Sequence, residues 1–158
     1  MREFRSFGAF AQHLEMLAVR GPEITHLMVE AGAEEIKETA QGEIGFYQHD
    51  IAPFPDWAEL SPEYEKSKVA AGFEPDAPLL RTGEMKKSIG MSVEGHEAVV
   101  GSNDKVLEYH EFGTDKMPPR PVLGPAAHFS KPRIFSMMAK TTFAWLAGVR
   151  LRKVQRLK

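Results

Sequence analysis

Proline placement divides this chain before any other pattern is considered. Pro53, Pro55 and Pro62 forbid a continuous helix between Gly45 and Pro62. A second loop follows from Ala71 to Pro78, and a third ends at Met117-Pro118-Pro119-Arg120-Pro121. On either side of this interrupted middle the apolar residues repeat at helical spacing. Ser6 is placed to cap a helix carrying Phe7, Phe10, Ala11, Leu14, Leu17 and Ala18. Gly21-Pro22 then punctuates the chain, and Pro22 suits the first turn of a second helix, where a missing N–H costs nothing. That helix has a stripe of Val29, Ala33, Ile36, Ala40 and Ile44, with Glu30, Glu34, Glu35 and Glu38 mostly off it. Residues 1–44 are therefore predicted to be helical.

Residues 45–88 read as loops and short helices. Ser61-Pro62 is a cap followed by a first-turn proline, predicting a short helix through about Lys68. Thr82 is placed to cap a turn from Glu84 to Ser88. Residues 89–123 read as a β-hairpin and a proline-rich arm. Ile89, Met91 and Val93 alternate with Gly90, Ser92 and Glu94, Gly95-His96 makes a tight turn, and Glu97 to Gly101 returns. Val106 to Phe112 is a short amphipathic segment. Residues 125–158 are assigned to a C-terminal helix: Gly124-Pro125 starts a short turn and Pro132 restarts the helix after Ser130. Its apolar face is Ile134, Phe135, Met138, Thr142, Trp145, Leu146 and Val149, and beyond Val149 it turns basic. The fold class expected is α+β, one domain over 1–158, with N-terminal helices, a small antiparallel sheet with long loops, and a long C-terminal helix.

The 158 residues are enough for one modest core. With 42% hydrophobic and 27% charged residues the composition is that of a globular protein. No apolar run approaches the roughly 18 residues a bilayer span needs, so no membrane partner is expected. The start, MREFRSFGAF, lacks the pattern of a secretory signal. There is no cysteine, which excludes disulfides, thiolate metal sites and cysteine nucleophiles. The net charge of −2 conceals an asymmetry: residues 1–65 carry 13 acidic and 4 basic residues, whereas residues 129–158 carry 8 basic and no acidic ones. One reading sets the basic end against an acidic helix of the same or a neighbouring subunit. The other has Arg150, Arg152, Lys153, Arg156 and Lys158 meeting DNA phosphates without sequence preference.

Catalytic patterns are weak. His110-Glu111 begins a zinc-protease motif, but position 114, where the second histidine belongs, is Thr. The pair reads better as a polar hinge before Phe112, which should pack. His49-Asp50 has nothing nearby to complete a metal site. No serine stands in a nucleophile elbow, and no glycines frame a phosphate loop. The chain is expected not to be an enzyme and to use no cofactor. Met28, Met137 and Met138 read as core gap-fillers. Trp57, among prolines, either anchors its loop onto the core or serves as an interface anchor.

Three motifs in order carry more information than any of these. The first is Trp57-Ala58-Glu59-Leu60-Ser61-Pro62, with Lys66 and Lys68 following. The second is Leu79-Leu80-Arg81-Thr82-Gly83-Glu84-Met85, then Ser88-Ile89. The third is Val99-Val100-Gly101-Ser102-Asn103, then Tyr109-His110-Glu111-Phe112-Gly113-Thr114, then Met117-Pro118-Pro119-Arg120-Pro121-Val122-Leu123-Gly124. Over roughly residues 44–126 this order resembles the virion-morphogenesis or tail-completion proteins of long-tailed phages, a group that includes head–tail joining and minor tail components. The resemblance implies a structural subunit of the virion, assembled in the host cytoplasm. It implies a homo-oligomeric ring at the head–tail junction, a hexamer matching the sixfold tail, beside other neck and tail proteins. A tail terminator or head-closure ring is the alternative within this class, and a nucleic-acid-binding protein using the basic end is the alternative outside it. Trp57, Phe112, Pro118, Pro119, Arg120 and Pro121 are the candidate interface residues. Arg120, stiffened between two prolines, is expected to make a forked pair with a carboxylate of a neighbouring subunit.

Overall fold

The computed structural model describes residues 3–149, 151 and 154. Its elements are α1 (Phe7–Glu43), α2 (Pro62–Ala70), α3 (Glu84–Ser88), β1 (Gly90–Glu94), β2 (Glu97–Gly101), α4 (Lys105–Phe112) and α5 (Leu123–Leu146). The class is α+β, as the periodicity indicates. No helix among the described residues is long and apolar enough to cross a membrane.

The two expected N-terminal helices are one. The α1 helix runs for 37 residues straight through Pro22, with Ser6 accepting a hydrogen bond from the Ala9 amide at its start. A proline inside a helix removes one i→i−4 bond and crowds the preceding turn. Long-range packing outweighs that local cost here. The α5 helix lies antiparallel along α1 and buries residues on both sides of the proline, with His13 and Leu17 before it and Ile24 and Met28 after it. The pairing is read from side-chain contacts along the axis. His13 Nε2 donates to the Leu146 carbonyl at 3.0 Å, Thr142 Oγ1 approaches Met28 Sδ at 3.7 Å, and Ser130 Oγ donates to Thr39 Oγ1 at 2.9 Å. Two glycines lie in this seam, each with room for a methyl group at ordinary contact distance. A Cβ at Gly21 would meet the Trp145 ring at 3.7 Å, and one at Gly32 would meet Ile134 at 3.5 Å.

The α5 helix likewise passes through Pro132 without restarting, for the same reason. Its buried positions are Pro125, Ala126, Ser130, Met137 and Thr141, so the core-facing stripe is rotated from the one expected, and Phe135 is 61% exposed. The helix also stops earlier than expected, at Leu146. Gly148 adopts φ +78°, and the Ala147 and Gly148 amides close back onto the Phe143 and Trp145 carbonyls. A left-handed glycine just past the last turn is a common helix stop. The candidate basic face, Arg150, Arg152, Lys153, Arg156 and Lys158, lies outside the described residues.

The hairpin follows the alternation. β1 and β2 pair antiparallel with Met91 opposite Val100 and Val93 opposite Ala98. It is fastened to α1 at both ends: Gln41 Nε2 donates to the Ile89 carbonyl at 3.2 Å, and His26 Nδ1 lies 3.0 Å from the Gly95 carbonyl. The core forms where the last turns of α1, the hairpin, α4 and the start of α5 meet. Ala40, Ile44, Trp57, Ile89, Leu107, Val122 and Ala126 are buried together there.

Candidate interaction groove

The three motifs converge. Each contributes residues to one groove of about 640 Å³, walled by Leu60, Leu80, Met85, Val106 and Pro118, with Arg81, His110, Lys116 and Arg120 among its polar groups. Most motif residues, however, build the walls rather than line the opening.

Trp57 is 1% exposed. Its Nε1 donates to the Pro121 carbonyl at 3.0 Å and its amide to the Gln48 carbonyl at 2.9 Å, so it joins the first loop to the proline-rich arm from within the core. Arg120 is 6% exposed and completes the junction. Its guanidinium donates from Nε and NH2 to the Ala58 carbonyl, at 3.0 and 2.8 Å, and from NH2 to the Glu59 carbonyl at 3.2 Å. The fork expected to reach a carboxylate of a neighbouring subunit instead takes two backbone oxygens of its own chain. Planar donors fixed at that spacing fit adjacent carbonyls as well as they fit a carboxylate. The Arg120 amide donates to the His110 carbonyl at 2.6 Å, tying the arm to α4 as well.

His110-Glu111 is not a hinge: both residues lie within α4. Glu111 reaches across to the start of α5 and accepts from the amides of Val122 at 2.7 Å, Leu123 at 3.1 Å and Gly124 at 3.2 Å. The first amides of a helix have no partner inside it and carry its positive dipole end, so a carboxylate there is doubly favoured. Val122 itself offers no side-chain cap. His110 Nδ1 is buried without a hydrogen-bond partner. Burial, and then the charge of Arg120, lower its pKa, so the imidazole is neutral at pH 7. Phe112, expected to pack, is 78% exposed. Gly113 after it turns the chain at φ +74°, where a Cβ would come 2.9 Å from the Pro119 nitrogen and 3.0 Å from the Met117 carbonyl. Thr114 and Met117 then exchange backbone hydrogen bonds of 2.9 and 3.1 Å and close the tip of the arm.

The six interface candidates therefore separate. Trp57, Arg120 and Pro121 are buried within the subunit, Pro119 is half-buried, and Phe112 and Pro118 face outward. Sequence reasoning missed two supporting residues. Glu111 is one. Lys68 is the other, 1% exposed and donating Nζ to the Ala77 carbonyl at 2.7 Å and the Pro75 carbonyl at 3.2 Å. Burial lowers the pKa of its ammonium group. No local pattern marks a lysine whose partners are main-chain oxygens of the next loop.

The groove has apolar walls and a mixed rim on which Arg81 and Lys116 stand with Glu59. Among the described residues no group of three His, Cys, Asp or Glu side chains is arranged to hold a metal ion. No family model matches the chain, and no solved structure matches it. It is similar to Mu-like prophage FluMu G protein 1 of Haemophilus influenzae, with 30% identity over 81 residues, 50% of this chain. The chain spans 56% of the length of that relative. The similarity relates the chain to a phage protein.

Proposed function

We propose that this chain is a structural subunit of a phage particle, acting without catalysis in a ring at the head–tail junction, where it completes the tail or joins it to the head. One observation carries the reading. Three separated motifs that resemble tail-completion proteins fold onto one another and build a single braced arm and groove. A subunit in a ring presents different surfaces to its two neighbours, which is a heterologous contact closed by rotation. Among the described residues two outward surfaces suit that arrangement, the arm tip with Phe112 and Pro118 and the far end of the helix pair with Phe7 and Phe143. The similarity to a prophage protein supports the phage setting. A hexamer is the stoichiometry that the motif resemblance favours, and the neck and tail proteins are the partners.

The test is genetic and visual. A prophage carrying a stop codon early in this reading frame, induced and imaged by negative stain, is expected to yield filled heads and finished-length tails that do not join. Normal joined particles would overturn the reading. Light scattering on the purified chain from low to high salt tests the ring itself. Surface charge pairs are screened beyond about 10 Å at 0.1 M salt, so an assembly held by the acidic and basic ends should weaken as salt rises. A salt-sensitive DNA complex without any joining defect would favour the nucleic-acid reading of the basic end instead.

A further inference from the structure

Glu43 at the end of α1 and Gln48 in the loop after it form a pair of side chains that the groove does not use. Gln48 is buried, 7% exposed, and its Nε2 donates to Glu43 Oε2 at 2.9 Å. The two remaining oxygens, Glu43 Oε1 and Gln48 Oε1, are both buried and neither has a partner. Two buried acceptors left unpaired on side chains already hydrogen-bonded to each other are costly, and a carboxylate has no proton to give to either. A carboxylic acid has one. A planar acid and a planar amide fit as a two-point ring: the acid O–H donates to the amide oxygen, and the acid carbonyl accepts the amide N–H. One of those two bonds is already in place.

We propose that Glu43 is held as a neutral carboxylic acid that closes a two-point ring with the Gln48 amide, and that loss of this proton unlatches the loop carrying Trp57. The surroundings favour the neutral form. Burial is the largest cause and Glu111 on α4 adds like charge, while the hydrogen bond from Gln48 opposes them; together they raise the Glu43 pKa to about 7. The other groups facing this corner are His49 in the loop, 4.0 Å from Asp56, and Arg133 on α5, bound to Glu35 and Thr39. Tyr47 is engaged as acceptor from the Leu60 amide at 3.0 Å. None of them donates to Glu43.

The latch matters because of what Gln48 also holds. Its backbone carbonyl accepts the Trp57 amide, and Trp57 in turn holds Pro121 of the arm. When Glu43 ionises, its oxygen faces the Gln48 oxygen with no proton between them, and the carboxylate faces Glu111. The path from solution pH to the arm thus runs through Glu43, Gln48 and Trp57. The sign is fixed by linkage. A folded-state pKa above the unfolded value means that the folded chain binds the extra proton. This contribution to stability is full below pH 4.5 and is lost as pH rises through about 7.

The carboxyl carbon of Glu43 reports the state directly. In the full chain with ¹³C-labelled glutamate, assigned by comparison with Glu43→Gln, the Glu43 signal should titrate near pH 7. A midpoint near 4.5 would overturn the proposal. Glu43→Gln supplies a second reading, because an amide–amide pair closes the same ring at every pH. It is expected to fold, and to keep the Trp57 amide protected from exchange at pH 8. The unsubstituted chain at pH 8 should exchange that amide about tenfold faster than the variant does, a ratio equivalent to one pH unit of linkage. Equal exchange rates in the two proteins at pH 8 would show that ionisation releases nothing. Both measurements are made on the isolated subunit, so they stand or fall independently of whether it forms a ring.

Discussion

The two ends of the α1–α5 pair are made from the same two helices and are packed differently. At the end holding the last turns of α1, the helices are covered by the hairpin, α4 and the proline loops, and seven apolar side chains close into one buried cluster. At the other end no strand or further helix among the described residues covers them, and Phe4 packs on Phe10 and His13 of α1. Phe7 is 85% exposed, Val19 75% and Phe143 77%, and only His13 and Leu17 are buried in the first three turns of α1. The dense end is held by specific hydrogen bonds to main-chain groups and the bare end by a single helix–helix seam. Helices joined only by a seam gain little beyond the apolar area that the seam buries. The dense end should therefore set the stability of the subunit, and the bare end should be the place where another surface finds unsatisfied apolar area.

Mutations grade this contrast. Trp57→Ala should have the largest effect, about 3–5 kcal/mol, as for a buried aromatic truncated in a core; urea unfolding measures it, and a loss under 1 kcal/mol would mean the dense end is not the keystone. Glu111→Ala leaves three amides at the start of α5 without an acceptor and should cost about 2–3 kcal/mol by the same assay. Arg120→Lys keeps the charge but loses the planar fork that sets Nε and NH2 together on the Ala58 carbonyl, and is expected to cost about 1–2 kcal/mol. If it proves neutral, the arm is held by Trp57 and by its main-chain bond to His110, without need of the guanidinium. At the bare end Phe143→Ser should change monomer stability by no more than about 0.5 kcal/mol, while lowering the apparent mass in light scattering if that end docks. A stability loss comparable with that of Trp57→Ala would remove the distinction between the ends.

How far the fold was legible depends on how local its causes are. The hairpin was readable because Ile89, Met91 and Val93 alternate ahead of Gly95-His96, and the observed register follows that alternation. The start of α2 was readable because Ser61 accepts from the Tyr64 amide, as a serine before a first-turn proline should. Pro22 and Pro132 misled because their cost is local and the packing that outweighs it is distant. Only the antiparallel pairing of two segments 91 to 133 residues apart shows that each helix continues. Within the candidate site, the motifs named the right stretches of chain but not the roles of their residues. Sequence shows that Arg120 and Lys68 are charged and that carboxylates are plentiful. It does not show that both side chains turn to backbone carbonyls, since every residue in the chain has one. Glu111 was hidden for a related reason: its partners are amides 11 to 13 positions later, beyond the reach of any helix-capping pattern.

Arg120 grips carbonyl oxygens that belong to positions 58 and 59 whatever side chains stand there, and Ala58 and Glu59 themselves point into solvent. The strap is therefore blind to substitution at one of its ends and intolerant of it at the other. Lineages of this protein can drift at residues 58 and 59, altering the charge and texture of the outer face to suit a changing neighbour, without renegotiating how the arm is fastened beneath. Arginine at 120 has no comparable freedom. The joint separates what must stay constant for the subunit to hold its shape from what is open to change for it to fit a new partner.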